Sequence, residues 1–314
     1  MSRDPSTQAD IDAPVPSESN RMEQVSLPEK QQILTIGGVQ TFLFEAGEGK
    51  PVVLFHGASI GVDAWLTWFR CFDVLALDHR VIAYDQPCFG RSGIPDDGKY
   101  MDRERRAMHA QALFDQLDLS GVTLVGHSEG GFIATRLALD NRDRVERLVV
   151  VTSGGTSPRL NDERDMAWMT ASAAAYDYQG RAIDEDAYVR SEGHLRYRED
   201  PPFEAILRHN YRLAQKAGTA KCLLDAAHSR SGYSDYTMLQ ERLLFPRLPS
   251  LNIPALLIWA GRDATVPVAR GLALADLLPM SEIHIFPRAG HWVMHEETAP
   301  FNALLAAWLS QEVP

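Results

Sequence analysis

The 314-residue chain carries 31 Lys and Arg against 42 Asp and Glu, a net charge of −11 that argues against a nucleic-acid partner and for a freely diffusing protein. With 45% hydrophobic residues it can bury the core of one large domain, or of a domain with an inserted lid. No run approaches the roughly 18 apolar residues of a membrane span, and three scattered cysteines (Cys71, Cys88, Cys222) form neither a metal pattern nor a disulfide framework, so a reducing cytoplasm is the simplest location.

Residues 1–28 are polar, rich in Pro, Ser and Asp, and lack an apolar run, so they read as a disordered leader rather than a secretory signal. From there, 33–47 predicts a hairpin around Gly37-Gly38, and "PVVLFHG" (51–57) a buried strand opening into a loop. "HRVIAYDQPCFGRSG" (79–93) repeats that form. Residues 102–119 have apolar positions at helical spacing, with the charge run "DRERRA" as a solvated face. A strand at 122–126, a helix at 131–141 and a strand at 145–155 follow. Later come strands at 255–261 and 282–286, alternating with helices at 268–278 and 300–310. Such alternation implies a mostly parallel sheet with helices on both faces.

Between 156 and 250 the alternation stops, and helical patterns such as "DMAWMTASAAAY" and "FEAILRHNYRLAQKAG" replace it. That is too long for a loop inside a compact domain. The expected organisation is therefore a core of 29–155 and 251–314, with a helical lid at 156–250.

The most informative stretch is "VGHSEGG" (125–131), where an apolar strand meets a helix at Gly-His-Ser-Glu-Gly. A G-x-S-x-G sequence in that context makes a sharp elbow, its glycines clearing space where the two backbones converge. Ser128 would then project above the strand ends, with the Glu129 N–H at the helix start facing a developing oxyanion. A serine hydroxyl needs a base to become nucleophilic. Asp263 in "LLIWAGRDATVP" and His291 in "EIHIFPRAGHW" follow in the order Ser…Asp…His, each just past a strand. The competing readings are a plain Gly-Ser turn for Ser128 and a helix cap near Pro267 for Asp263. His56 fits a loop-shaping part, as does Asp85, and the cysteines fit small buried hydrophobes.

With these residues in place, the chain resembles the α/β-hydrolase superfamily across about residues 30–312. The resemblance rests on "HGASIG", "DQPCFGRS", "GHSEGG", "GRDATVP" and "AGHW". Within it, "VTSGGTSP" and "SEIHIFPRAGHWVMHEETAPFNALLAAWL" look most like the hydrolases that cleave a carbon–carbon bond in meta-cleavage (ring-fission) products. The resemblance implies an eight-stranded sheet with the helical lid after the sixth strand, and a Ser128-His291-Asp263 triad. It also implies an oxyanion hole from the Ala58 and Glu129 N–H groups, and no metal or organic cofactor. The partner would be a small-molecule substrate, and a homo-oligomer is compatible with all of this.

Departures from that subfamily fall at the substrate positions. His127 stands where an Asn is usual before the nucleophile, Thr67 aligns with another Asn, and Asn210, beside Tyr211, aligns with a lid Arg that holds the substrate's acidic end. Val266 and Trp292, within the matching motifs, complete the implied substrate contacts. Losing the Arg matters most, because a carboxylate buried without a cation is costly. The expected activity is hydrolysis of an ester or lactone, or of the carbon–carbon bond of a ring-fission diketone; the alternative is a ligand receptor on a hydrolase scaffold with little turnover.

Overall fold

A computed structural model describes residues 27–160, 162–167, 170, 184–193, 195–229 and 233–312. Eight strands form one sheet: β1 (Gln31–Ile36), β2 (Val39–Ala46), β3 (Pro51–Phe55), β4 (Arg80–Tyr84), β5 (Val122–His127), β6 (Val145–Val151), β7 (Ala255–Ala260) and β8 (Ser281–Phe286). Their order is β1-β2-β4-β3-β5-β6-β7-β8. Pairing is antiparallel from β1 through β2 to β4, and parallel from β4 to β8. The eight-stranded, mostly parallel sheet expected from the sequence is what forms.

The strands follow from their side chains. Every residue of β5 and β7 is buried, the pattern of parallel strands covered on both faces. In β3, Val52 and Leu54 enter one apolar layer while Val53 and Phe55 enter the other. Each such side chain, fully buried, contributes about 1.5–3 kcal/mol. The β1–β2 hairpin turns through Gly37 (φ 54°) and Gly38 (φ 84°), two consecutive positive φ angles that a two-residue hairpin with right-twisted strands requires.

Between the strands lie α1 (Ala64–Trp68), α2 (Phe72–Leu75), α3 (Arg103–Gln116) and α4 (Glu129–Asp140). Between β6 and β7 lie α5 (Glu185–Gly193), α6 (Pro201–Ala217), α7 (Thr219–Ser229) and α8 (Tyr233–Leu243). The C-terminal part adds α9 (Val268–Ala275), α10 (Val293–Glu296) and α11 (Thr298–Leu309). Helix α6 shows how local signals set the ends. Asp200 caps it by accepting from Phe203 N at 3.2 Å, proline occupies its first turn, and Gly218 at φ 78° stops it. Phe203, Leu207, Asn210, Tyr211 and Ala214 make its buried face.

The stretch expected as a helical insertion carries α5–α8 and, among the described residues, no strand. The leader falls outside the described residues except at 27 and 28, as does most of "DMAWMTASAAAY". Among the described residues no helix is long and apolar enough to cross a membrane.

One correction concerns "DRERRA". Asp102, Glu104 and Arg105 do meet solvent, but Arg103 is 3% exposed and Arg106 is fully buried, so only part of the run is a solvated face. The Arg103 guanidinium lies over the Phe132 ring at 4.9 Å, and Arg106 reaches inward to a carboxylate. Helical periodicity records charge but not whether a charged side chain meets a partner inside.

The sheet order sets where chemistry can occur. The chain leaves β3 toward β4 on one side, while β5 pairs with β3 on the other, a switch point with a crevice at the strand ends. Phe55 pairs with Gly126, and His127 with Val151, so the loops after β3, β5 and β6 emerge side by side.

Candidate active site

Ser128 occupies the turn between β5 and α4 with φ 52° and ψ −123°, a conformation an L-residue adopts only under strain. Its N–H donates to Val151 O at 3.0 Å, and its carbonyl accepts from Ser153 Oγ at 2.5 Å. The flanking glycines make the turn sterically possible. A Cβ on Gly130 would lie 2.5 Å from Phe55 O and 2.6 Å from His56 O, and one on Gly126 would lie 2.6 Å from the Gly130 carbonyl carbon. Helix α4 begins at Glu129, two residues earlier than the sequence reading placed it. The Glu129 N–H is therefore one of the unsatisfied donors of a helix start.

The loop after β3 is held from below. His56 Nδ1–H donates to Gly57 O at 2.7 Å, while its Nε2 accepts from Gln86 N at 2.9 Å. Burial, with Arg106 nearby, holds this imidazole neutral, its pKa lowered to about 3. Asp85 accepts from Ala64 N at 2.9 Å and Arg91 N at 2.8 Å, which pins the start of α1 to the loop after β4. Both residues thus have the structural parts expected of them. Ala58 lies part-buried beside Gly57, where an added Cβ would sit 3.0 Å from Ser128 Cβ.

Asp263 and His291 meet just beyond β7 and β8. His291 Nδ1 lies 2.7 Å from Asp263 Oδ2. The other carboxylate oxygen accepts from Thr265 N at 2.7 Å, Thr265 Oγ1 at 2.9 Å and Val266 N at 3.0 Å. Pro267, not Asp263, occupies the cap position of α9. Burial disfavours the charged imidazole of His291. The net shift is nevertheless upward, because Asp263 and the carboxylates Glu192 and Glu296 favour the imidazolium. His291 Nε2 is buried and has no hydrogen-bond partner among the described residues, the Ser128 hydroxyl included. Such bonds are commonly long before substrate arrives.

The expected substrate contacts have separate fates. His127 is buried, its Nε2–H donating to His291 O at 3.0 Å and its ring 4.8 Å from both His291 and Trp292. Burial and the neighbouring His291 hold its pKa well below the usual histidine value. Trp292 packs between His127 and Phe203, 4.9 Å from the latter. The Thr67 hydroxyl donates to Asp63 O at 2.8 Å within α1. Val266 enters the buried cluster containing Trp259 and Leu274, and its N–H supports Asp263. Tyr211 stacks on Tyr188 at 5.4 Å. Asn210 is 3% exposed, and neither its amide oxygen nor its nitrogen has a hydrogen-bond partner among the described residues.

Sequence reading missed three participants: Arg106, Glu192 and Glu296. The Glu129 carboxylate pairs with Arg106 Nη2; Arg106 also donates to Gln86 Oε1 at 2.8 Å and Met101 O at 3.0 Å. Glu192, in α5, accepts from Ser59 Oγ at 2.6 Å. Glu296 accepts from Gly290 N at 2.9 Å and Tyr197 N at 2.7 Å, joining the His291 loop to the chain after α5. All three depend on contacts between distant segments, and no local motif signals them.

The family model for the alpha/beta hydrolase fold matches residues 50–298. The 2-hydroxymuconate semialdehyde hydrolase of Pseudomonas sp. (strain CF600) is 30% identical over 289 residues, covering 90% of this chain and 95% of that protein. The 2-hydroxy-6-oxo-2,4-heptadienoate hydrolase of Pseudomonas putida is 30% identical over 282 residues, covering 90% and 96% respectively. Among solved structures, a variant of the meta-cleavage product hydrolase CumD superposes with a TM-score of 0.76 at 24% identity, covering 90% of this chain and 99% of that one.

Proposed function

Because the chain belongs to the alpha/beta hydrolase fold family and is a hydrolase, we propose that it works through Ser128, His291 and Asp263 on the carbonyl carbon of a small molecule. His291 Nε2 takes the Ser128 proton as Oγ attacks, and Asp263 fixes the tautomer and stabilises the imidazolium. The N–H groups of Ala58 and Glu129 receive the oxyanion, each worth about 3 kcal/mol to the transition state. Collapse of the tetrahedral intermediate expels the leaving group, which takes the proton from His291, and water activated by the again neutral histidine then frees the acyl group. The observation carrying this reading is the 2.7 Å contact of His291 with Asp263, at the strand ends beside the strained Ser128 elbow.

Helices α5–α8 serve as the lid, with Asn210 facing the substrate. A neutral ester or lactone suits this roof better than a carboxylate. Among the described residues, Arg70 is engaged with Asp200, Arg106 with Glu129 and Arg196 with Glu204. A dienoate would bring a charge to an uncharged amide, and burying an uncompensated carboxylate is costly.

A second reading, cleavage of the carbon–carbon bond of a ring-fission diketone, is favoured by the names of both relatives above. In it, the leaving carbon is protonated before or as the bond breaks. Side-by-side turnover of p-nitrophenyl esters and a coloured ring-fission dienoate separates the two. Saturable binding of both without turnover would overturn the enzymatic reading in favour of a receptor. The three cysteines are free and buried, which fits a cytoplasmic location.

A further inference from the structure

The chain from α5 to the start of α6 crosses the site and is bonded to both of its walls. On the β3 side, Tyr188 OH accepts from Gly61 N at 2.9 Å and lies 3.1 Å from Ser59 Oγ, which itself donates to Glu192 Oε1 at 2.6 Å. Gly61 and Ser59 belong to the same short loop as Ala58. On the β8 side, the His291 N–H donates to Leu195 O at 2.7 Å, and Leu195 N donates to Glu192 O at 3.1 Å. Glu192 is thus one turn of chain from the residue that holds His291 in place. It is 1% exposed.

We infer that Glu192 is a second positioning carboxylate of the reaction centre, tying the crossing chain to the oxyanion loop through Ser59 and stabilising the imidazolium of His291 alongside Asp263. Its kinetic part rests on the triad reading proposed above; the titration of His291 does not.

Glu192 faces Arg196 from its own segment, Ser59 from the β3 loop, and His291 and Trp292 from the β8 loop. Arg196 is itself engaged by Glu204 at 2.7 Å. His291 faces Asp263, Glu192 and Glu296, with His127 behind it. Burial pushes the Glu192 carboxyl above its usual range, whereas the Ser59 hydroxyl and His291 favour its ionised form. The proton bound at His291 and the charge on Glu192 therefore favour each other. In the reaction the imidazolium exists only after the serine proton has moved, so stabilising it acts on kcat rather than KM.

The test replaces charge while keeping the tether. Glu192→Gln retains an oxygen to accept from Ser59 but carries no charge. We expect the His291 pKa, followed by NMR through its ring protons, to fall by about one unit, the lower end of what a nearby opposite charge does. We also expect kcat to fall several-fold with KM little changed. Should Glu192→Gln fail to fold, Ser59→Ala serves instead: it removes the hydroxyl that favours the Glu192 carboxylate, so the His291 pKa should move the same way by less. An unchanged His291 titration in the folded variant would overturn the inference, because a purely structural tether would not alter it. Wild-type protein that turns over nothing would sink the triad proposal while leaving this titration readable.

Discussion

Asp263 presents its two carboxylate oxygens to different tasks: Oδ2 meets His291 Nδ1 at 2.7 Å, while Oδ1 is held by Thr265 and Val266. The acid is thereby fixed in orientation before it orients the histidine. Asp263→Asn preserves the Oδ1 contacts but can donate to Nδ1, which favours the wrong tautomer. The expected fall in kcat is about 10⁴-fold, with secondary structure and Tm little changed. A loss of only a few-fold, measured on a p-nitrophenyl ester, would assign the orienting part to another carboxylate.

The pH dependence follows from His291. Burial alone would lower its pKa, but Asp263, Glu192 and Glu296 raise it overall. In the proposed mechanism His291 must be neutral to accept the Ser128 proton. Activity should therefore fall on acidification along a limb centred above the ordinary imidazole value of about 6.5. The measurement is kcat/KM against pH in the free enzyme. A limb at or below the ordinary value would mean that burial outweighs the three carboxylates.

The pair of Glu129 and Arg106 makes a stability prediction. Arg106 is fully buried and Glu129 nearly so. Arg106→Met leaves the Glu129 carboxylate without its cation, a loss expected to cost about 3–5 kcal/mol in urea unfolding. Adding Glu129→Gln to that variant should recover part of the loss, because the uncompensated charge is then gone. No recovery would show that Arg106 acts through Gln86 and Met101 instead.

These residues also mark how far the chain could be read without its fold. The Ser128 elbow and the meeting of Asp263 with His291 were legible because each residue sits at a strand end with a local signature: glycines at the elbow, and Gly and Pro around the two loops. The sheet was legible because parallel strands are written as short apolar runs. The helices α1, α2 and α10 were not, since four or five residues carry no periodicity. Arg106 read as a surface charge, and Glu129 only as a backbone donor at a helix start. Only the packing of α3 against α4 makes them a pair. Glu192 and Ser59 are 133 residues apart, and nothing local in either links them.

Substrate charge can be tested at Asn210, whose buried amide has no hydrogen-bond partner among the described residues. Wild-type protein should prefer a methyl ester to the matched carboxylic acid. Asn210→Arg should shift kcat/KM toward the acid by roughly ten- to a hundred-fold, the worth of one charge-assisted hydrogen bond. A wild type that already favours the acid strongly would mean that another residue supplies the cation.

The central claim is that Ser128 is the nucleophile, and its replacement by alanine tests it most directly. Alanine retains no hydroxyl and adds no bulk at the strained φ of 52°, so the fold and Tm should survive. Turnover of whichever substrate the wild type hydrolyses should drop to the background left by binding and the oxyanion donors, about 10³-fold or more below wild type. Folded Ser128→Ala protein that keeps more than a few per cent of wild-type kcat would contradict the account and place the attacking group elsewhere.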